Sequence, residues 1–282
     1  MLKIAIPNKG QLAEPTQKLL REAGFLRSHH PRDLVVSDPE NDIEFFFLRP
    51  RDVATYVGEG TLDFGVTGND LLVDSKSSAE IMIELGFGKS TFRIAAENNS
   101  GIKKYEDLNK KKIATSYPNL LQKWLKENSI NSEIVNLDGA VENAIRLGVA
   151  EAIADVVDTG TTMKQAGLIF IGDAISKSQA VLIKSKKVSP SLEVDIFMRR
   201  INSVLVAREY VMMDYDIEKT NLEKATIITP GFESPTISPL QETNWVAVRS
   251  MVKKAEVHKV MDELYKIGAK AIIVTEIMAC RL

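Results

Sequence analysis

From its second residue to about residue 183 the chain alternates short apolar runs with amphipathic stretches, and that grammar selects helices layered on a largely buried sheet. "LKIAIP", "DLVVSD", "IEFFFLRP" and "LDFGVTG" are rich in Val, Ile and Phe and read as strands. Leu12, Leu19, Leu20 and Ala23 recur at helical spacing before a capping Gly24. From about Thr91 the pattern restarts, with "TFRIAAEN", "KKIATSYPN", "SEIVNL", "AIADVV", "LIFIGD" and "QAVLIKS" as strands, and "LLQKWLKENS", "AVENAIRLGV" and "TMKQAGL" as helices. Two α/β units in series predict two lobes with a cleft between them.

The order then changes. "SPSLEVDIFMRRINSVLVARE" carries Pro190 near its start and a stripe of Leu192, Ile196, Ile201, Val204 and Leu205, so it predicts one long helix. After it come "YVMMDYDI" strand, "KTNLEKATI" helix, "SPTISPL" and "WVAVRSMV" strands, "AEVHKVMDELYKIGA" helix and "KAIIVTEI" strand. That β-α-β-β-α-β order is a ferredoxin-like unit.

Composition narrows the function classes. A formal net charge of -2 over 282 residues offers no field for a polyanion or an acidic membrane, so nucleic acid and membrane are not expected partners. One cysteine, Cys280, excludes an intrachain disulfide, and no run is apolar enough for a signal peptide or a span, so the expected location is cytoplasmic. His29, His30 and His258 are too scattered for a metal cage and read as surface residues.

Two motifs mislead. "GFGKST" looks like the end of a P-loop, but the Gly it needs five residues before Gly88 is Ile83. "GEGTLD" places Asp63 where a dinucleotide fingerprint wants a third Gly.

The chemistry concentrates elsewhere. In "ADVVDTGTT" a strand bearing Asp155 and Asp158 turns through Thr159, Gly160, Thr161 and Thr162 into a helix. Carboxylates accept from vicinal hydroxyls and turn amides hold an anion, so sugar and phosphate fit together there; helix capping alone needs fewer acids and hydroxyls. In the first lobe Lys9, Asp33, Arg49, Arg51, Thr67, Gly68 and Asp70 fall just past apolar runs, where open α/β sheets collect ligands, and Lys9, Arg49 and Arg51 suit a polyphosphate. Tyr117 stands at another strand end, and Asp138 and Glu142 are candidate cleft carboxylates, Glu142 serving equally as a first-turn dipole partner.

In their joint order, "PNKGQL", "FFFLRPRD", "DFGVTGND", "ATSYPNL", "LDGAVE", "ADVVDTGTT", "ITPGFESPTISPL" and "IGAKAIIVTEI" resemble the long-form ATP phosphoribosyltransferases that open histidine biosynthesis, along the whole chain. The resemblance implies an α/β protein with a two-lobed core like type II periplasmic binding proteins and a C-terminal ferredoxin-like regulatory domain. Catalytic lobe I would comprise 1–90 with about 184–208, lobe II 91–183, and the regulatory domain 209–282. It places the phosphoribosyl pyrophosphate on Asp155, Asp158, Thr159, Gly160, Thr161 and Thr162, with the turn on the 5-phosphate and Asp155 toward the ribose hydroxyls. Lys9, Asp33, Arg49, Arg51, Asp70, Leu71 and Tyr117 would face ATP and pyrophosphate. Thr161 departs from the Arg or Ala common in the family. Asp216, Thr236 and Ala271 match positions that contact inhibitory histidine; without the resemblance they read as turn and cap residues.

The implied reaction joins N1 of the ATP adenine to C1 of phosphoribosyl pyrophosphate with loss of pyrophosphate and inversion. Mg²⁺ would arrive with the pyrophosphate, without fixed protein ligands. No general base is assigned. Histidine, with AMP as a further candidate inhibitor, and assembly from dimers into hexamers complete the expectation. Two rivals stay open: a two-lobed anion-binding protein without chemistry, and a salvage phosphoribosyltransferase of the type I fold. Against the second, the two aspartates here are separated by two residues rather than adjacent.

Overall fold

The computed structural model describes all residues except 27–29, 31–32, 159 and 282. It divides into two compact units, Met1–Lys18 with Ser28–Ser191, and Leu19–Arg27 with Leu192–Leu282.

The first unit begins with β1 (Leu2–Pro7), α1 (Ala13–Glu22), β2 (Val35–Asp38), β3 (Ile43–Leu48), α2 (Pro50–Gly58), β4 (Phe64–Gly68), α3 (Asn69–Ser75) and β5 (Glu80–Glu84). Helix α1 runs on across the boundary between the two units. The chain then builds a second lobe from β6 (Ser90–Glu97), β7 (Lys112–Thr115), α4 (Pro118–Glu127), β8 (Glu133–Asn136), α5 (Asn143–Arg146), β9 (Ala152–Val157), α6 (Thr161–Gln165) and β10 (Leu168–Ser178). Strand β11 (Ala180–Lys184) returns to the first sheet and pairs antiparallel with both β4 and β5. The sheets therefore run β2-β3-β1-β4-β11-β5 and β10-β6-β9-β7-β8. The chain crosses between lobes twice, at the ends of β5 and β10.

Burial explains why the strands read as continuous apolar runs. Ile4, Ala5 and Ile6 are all fully buried, as is Phe45 opposite Ile4 on the parallel neighbour β3. Burying each such Ile or Phe stabilises the fold by roughly 1.5–3 kcal/mol. The second sheet is covered on both faces. Phe92, Ile94, Ala152 and Ala154 pack with Leu121 and Leu125 of α4, and Ala95, Ile153 and Val157 pack with Ala144 of α5 and Met163 of α6. Asp155, two residues from Ile153 on the same strand, shares the face of α5 and α6. Pro50 and Pro118 open α2 and α4, where a missing N–H is harmless.

Several details differ from the sequence reading: α3 and β5 have no counterpart in it, "QAVLIKS", counted with 91–183 of lobe II, joins the first sheet as β11, and the helix Leu192–Glu209, counted with lobe I through about 208, falls in the second unit. The segment "AVENAIRLGV" forms helix only over Asn143–Arg146, because Gly148 takes a positive φ of 68° and stops it. Strand β10 runs on to Ser178, with a break in pairing between Ile171 and Ser176 that lets "LIFIGDAISKS" bend as one strand.

The second unit holds α7 (Leu192–Glu209), β12 (Tyr210–Glu218), α8 (Leu222–Ile228), β13 (Thr236–Pro239), β14 (Trp245–Lys253), α9 (Val257–Lys266) and β15 (Lys270–Glu276). Its sheet order, β13-β14-β12-β15, is ferredoxin-like. One face, with Met213, Tyr215 and Val248, is buried with Ala225 of α8 and Leu264 of α9. Tyr215 and Thr229 share a buried 2.6 Å hydrogen bond that ties the end of α8 to the sheet.

Candidate active site

Strand β9 ends beside the β7–α4 turn, and that adjacency builds the lobe II wall. Asp155 Oδ1 accepts from the Val156 amide at 2.8 Å and, more weakly, from the Ser116 hydroxyl at 3.4 Å. Burial raises its pKa to about 6; the Glu142 carboxylate adds to the rise, while those hydrogen bonds and Arg51 oppose it. Beyond β9 the chain turns through Gly160 at a φ of 76°, and a Cβ there would meet the Phe170 ring at 3.2 Å. Only glycine turns so tightly against that ring. Thr159 lies outside the described residues.

Arg93 was not singled out in the sequence. It pairs in register with Asp155 across β6 and β9, so the two share a face. Its guanidinium lies 4.6 Å over Phe170 and donates to the Gly172 carbonyl at 3.1 Å, while its buried Nε has no partner. Its only sequence signal was a charge inside an otherwise apolar strand.

On the lobe I wall Asp70 sits at the start of α3, 8% exposed. Its Oδ1 accepts from the Leu71 amide at 2.9 Å and its own amide donates to the Ser178 hydroxyl at 3.0 Å. Burial raises its pKa, against the pull of these hydrogen bonds. Tyr117, the residue before α4, has its phenol pushed upward by burial and by Asp70, Asp155 and Asp74, so it is a protonated donor at neutral pH. A cavity of about 150 Å³ is lined by Lys9, Gly68, Asp70, Leu71, Tyr117 and Val156, among others. A larger one, about 580 Å³, touches Ser90, Ser178 and the exposed Asp158, together with Lys89 and Lys177. Lys89 belongs to the rejected "GFGKST" motif, so that loop lines a cavity without being a P-loop.

The structure thus gathers Lys9, Asp70, Leu71 and Tyr117 around one cavity, and Asp155 with Glu142 beside it. Arg51 reaches the same place but is engaged: it pairs with Asp74 at 2.7 Å, donates to the Ser116 carbonyl at 2.6 Å and lies 5.0 Å over the Tyr117 ring. Arg49 and Asp138 are exposed, Arg49 just before α2. Asp33 closes a local turn, accepting from the His30 amide at 2.7 Å. Thr67 is buried and donates to the Pro50 carbonyl at 2.7 Å. Thr161 and Thr162 are exposed in the first turn of α6.

The comparisons with known proteins agree along the whole length. The model of the family described as HisG: ATP phosphoribosyltransferase matches residues 49–203, and that of the HisG C-terminal domain matches 207–279. ATP phosphoribosyltransferases of Pseudarthrobacter chlorophenolicus and Salinispora tropica are 55% and 51% identical, each over 100% of both chains. The chain belongs to the ATP phosphoribosyltransferase family. A solved structure of the Thermotoga maritima ATP phosphoribosyltransferase (HisG:HisZ) complex aligns with a TM-score of 0.63 and 27% identity, covering 72% of this chain and 97% of that one. The structure of Tv2483 bound to L-arginine aligns at 0.50 with 12% identity over 80% and 86%, a likeness of fold alone.

The protein is therefore a pentosyltransferase of histidine biosynthesis, a two-lobed binding-protein-like core carrying the long form's C-terminal domain. It joins N1 of ATP to C1 of phosphoribosyl pyrophosphate and releases pyrophosphate, as the first step of that pathway. The reaction uses a metal ion. Both rival readings, the anion-binding protein and the type I salvage enzyme, fall with this membership. Among the described residues no helix is long and apolar enough to cross a membrane.

In the C-terminal unit, Thr236 opens β13 and pairs with Arg249, while Asp216 lies near the end of β12 beside Lys270. Ala271, at a φ of 49°, sits at the irregularity of β15 next to Asp216. Asp216 and Ala271 are thus neighbours. Thr236 and Ala271 occupy opposite edge strands, roughly 14 Å apart at the usual spacing of strands.

Proposed function

We propose that the transfer takes place between the lobes, with phosphoribosyl pyrophosphate on the β9–α6 turn and ATP against Lys9, Asp70, Leu71 and Tyr117. The observation that carries this reading is Asp155, a largely buried carboxylate at the end of β9 beside a glycine turn, with two hydrogen bonds and capacity for more. Ionised, it accepts from the ribose 2- and 3-hydroxyls, while Gly160, Thr161 and Thr162, with Thr159 and Asp158 in the same segment, surround the 5-phosphate. Lys9 faces the polyphosphate, and Arg49 and Asp33 flank it from the loops of lobe I. Strand β11 completes that lobe, and residues 209–282 form the regulatory domain.

Adenine N1 is a weak nucleophile and C1 loses pyrophosphate as N1 approaches, so the protein's contribution is to align the two and exclude water. Tyr117 presents a phenol that stays protonated and a ring with Arg51 stacked on it, which orients a neighbouring base without taking a proton from it. No side chain is assigned as general base. Among the described residues no group of three His, Cys, Asp or Glu side chains converges as a metal cage. Mg²⁺ is proposed to arrive on the phosphate oxygens of the pyrophosphate, without fixed protein ligands. Bound there, Mg²⁺ would neutralise charge on the departing pyrophosphate.

Histidine is the proposed allosteric inhibitor, at Asp216, Thr236 and Ala271. Because Thr236 and Ala271 lie on opposite sheet edges, a complete site would draw Thr236 from another copy, in keeping with a dimer-to-hexamer assembly. AMP is a further candidate inhibitor, and the location is proposed to be the cytoplasm.

The test is pyrophosphate release from purified protein given ATP, phosphoribosyl pyrophosphate and Mg²⁺, with and without histidine. Release requiring both substrates and falling with histidine supports the reading; histidine without effect would remove the regulatory half. Thr236→Ala should raise the histidine concentration for half-inhibition about tenfold, the loss of one good hydrogen bond, with uninhibited turnover unchanged. Equal loss of turnover would sink the two-site picture.

A further inference from the structure

Asp74 belongs to none of the motifs that carry the family resemblance, yet it is the most heavily used carboxylate beside the cleft. It lies in the last turn of α3 with its side chain 3% exposed. One oxygen takes the Arg51 guanidinium at 2.7 Å. The other accepts two amides from the first turn of α4, Asn119 at 2.9 Å and Leu120 at 3.0 Å, and its main-chain carbonyl accepts the Asn119 side-chain amide at 2.8 Å. Helix α3 belongs to lobe I and α4 to lobe II, so one buried side chain satisfies orphan donors of a helix in the opposite lobe. Arg51 extends the tie: its other terminal nitrogen holds the Ser116 carbonyl, and its plane lies on Tyr117. Ser116 in turn donates to Asp155.

We propose that Asp74 is a positioning residue for the transfer reaction, acting through Arg51 and the start of α4 to fix Ser116 and Tyr117 against Asp155. It touches no substrate. Arg51, two of whose donors are already committed, belongs to this joint rather than to a phosphate clamp. The inference rests on the cleft being the reaction site, and the test separates the two.

Asp74→Asn keeps an oxygen for the α4 amides but turns a donor toward Arg51, so it cuts the ion pair selectively. Arg51→Met cuts it from the more exposed side and serves if the first variant folds poorly. Steady-state pyrophosphate release is measured for each, for the double variant, for Arg51→Lys and for Asp155→Asn, with circular dichroism as a check on folding. The joint predicts that kcat falls about a hundredfold in either single variant while KM for both substrates stays within about threefold, because geometry and not binding is lost. The double variant should be no slower than the slower single, and Arg51→Lys should recover part of the rate. Arg51→Met raising a KM tenfold or more, with Asp74→Asn at the wild-type rate, would make Arg51 a substrate clamp and Asp74 a helix cap. Single effects that multiply in the double variant would likewise overturn the joint. Should Asp155→Asn also keep full turnover, the placement of the reaction in this cleft fails, and not the joint alone.

Discussion

Two aspartates, one in each lobe, show opposite uses of burial. Asp74 is saturated, with three donors on its carboxylate, one of them a cation. Asp155 is less enclosed and accepts one short and one long hydrogen bond, yet burial lifts its pKa to about 6. A buried carboxylate with its partners in place stabilises the arrangement around it, whereas one left short of partners is costly and persists where a ligand will complete it. Saturation therefore marks the joint, and its lack marks the site.

The largest effect that tests this contrast is on turnover. Asp155→Asn should lower kcat by on the order of a hundred- to a thousandfold with the fold intact, since an amide cannot accept from ribose hydroxyls as a carboxylate does. A near-normal rate would remove Asp155 from the site. Stability should move in opposite directions for the two residues. At pH 8, Asp74→Asn breaks a pair whose carboxylate is buried but whose guanidinium is half-exposed, and should lower the thermal midpoint by about 3–6 °C. Asp155→Asn should raise it by a few degrees, roughly 2–4, because a poorly compensated charge is removed. The sign depends on pH. The folded pKa of Asp155 lies above the ordinary 3.8, so ionising it costs stability progressively as pH rises from about 4 to about 6, and the full cost stands above that. The gain from Asp155→Asn should shrink toward zero by pH 4; a gain independent of pH would mean packing, not charge, is responsible.

The sequence displayed one aspartate and hid the other, and the reason is local. Asp155 ends an apolar strand and opens a Thr-Gly turn, a pattern readable along the chain. Asp74 in "LLVDSKSS" has no such frame, and its partners Arg51, Asn119 and Leu120 lie 23, 45 and 46 residues away. The fold was legible for a similar reason. Strand and helix periodicities are local, so the two α/β lobes and the ferredoxin-like unit could be read in order. Strand β5 and helix α3 were not, since β5 is mostly exposed and α3 spans Asn69–Ser75 alone, too short to show a stripe. Arg51 was read as a polyphosphate cation because its type and position after an apolar run fit one. Its engagement with Asp74 is a tertiary fact that no spacing announces.

The smallest expected effect probes the surroundings of Asp155 most finely. Glu142 stands at the start of α5, close enough for its negative charge to push the Asp155 proton affinity upward. Glu142→Gln removes that charge and retains the shape. The acid limb of kcat/KM reports ionisation in the free enzyme, so in the wild type it should fall near pH 6, activity rising as Asp155 loses its proton. In the variant the limb should move to lower pH by less than about one unit, since burial and not Glu142 is the larger cause of the shift. A limb moving upward would place a cation-like influence at Glu142, contrary to its charge. An unmoved limb near pH 6 with full activity would assign the ionisation to another group, Asp70 first, whose burial also raises its pKa. Either result would break the contrast between the two aspartates at its electrostatic root, because that contrast requires the carboxylate awaiting its ligand to be the one that titrates.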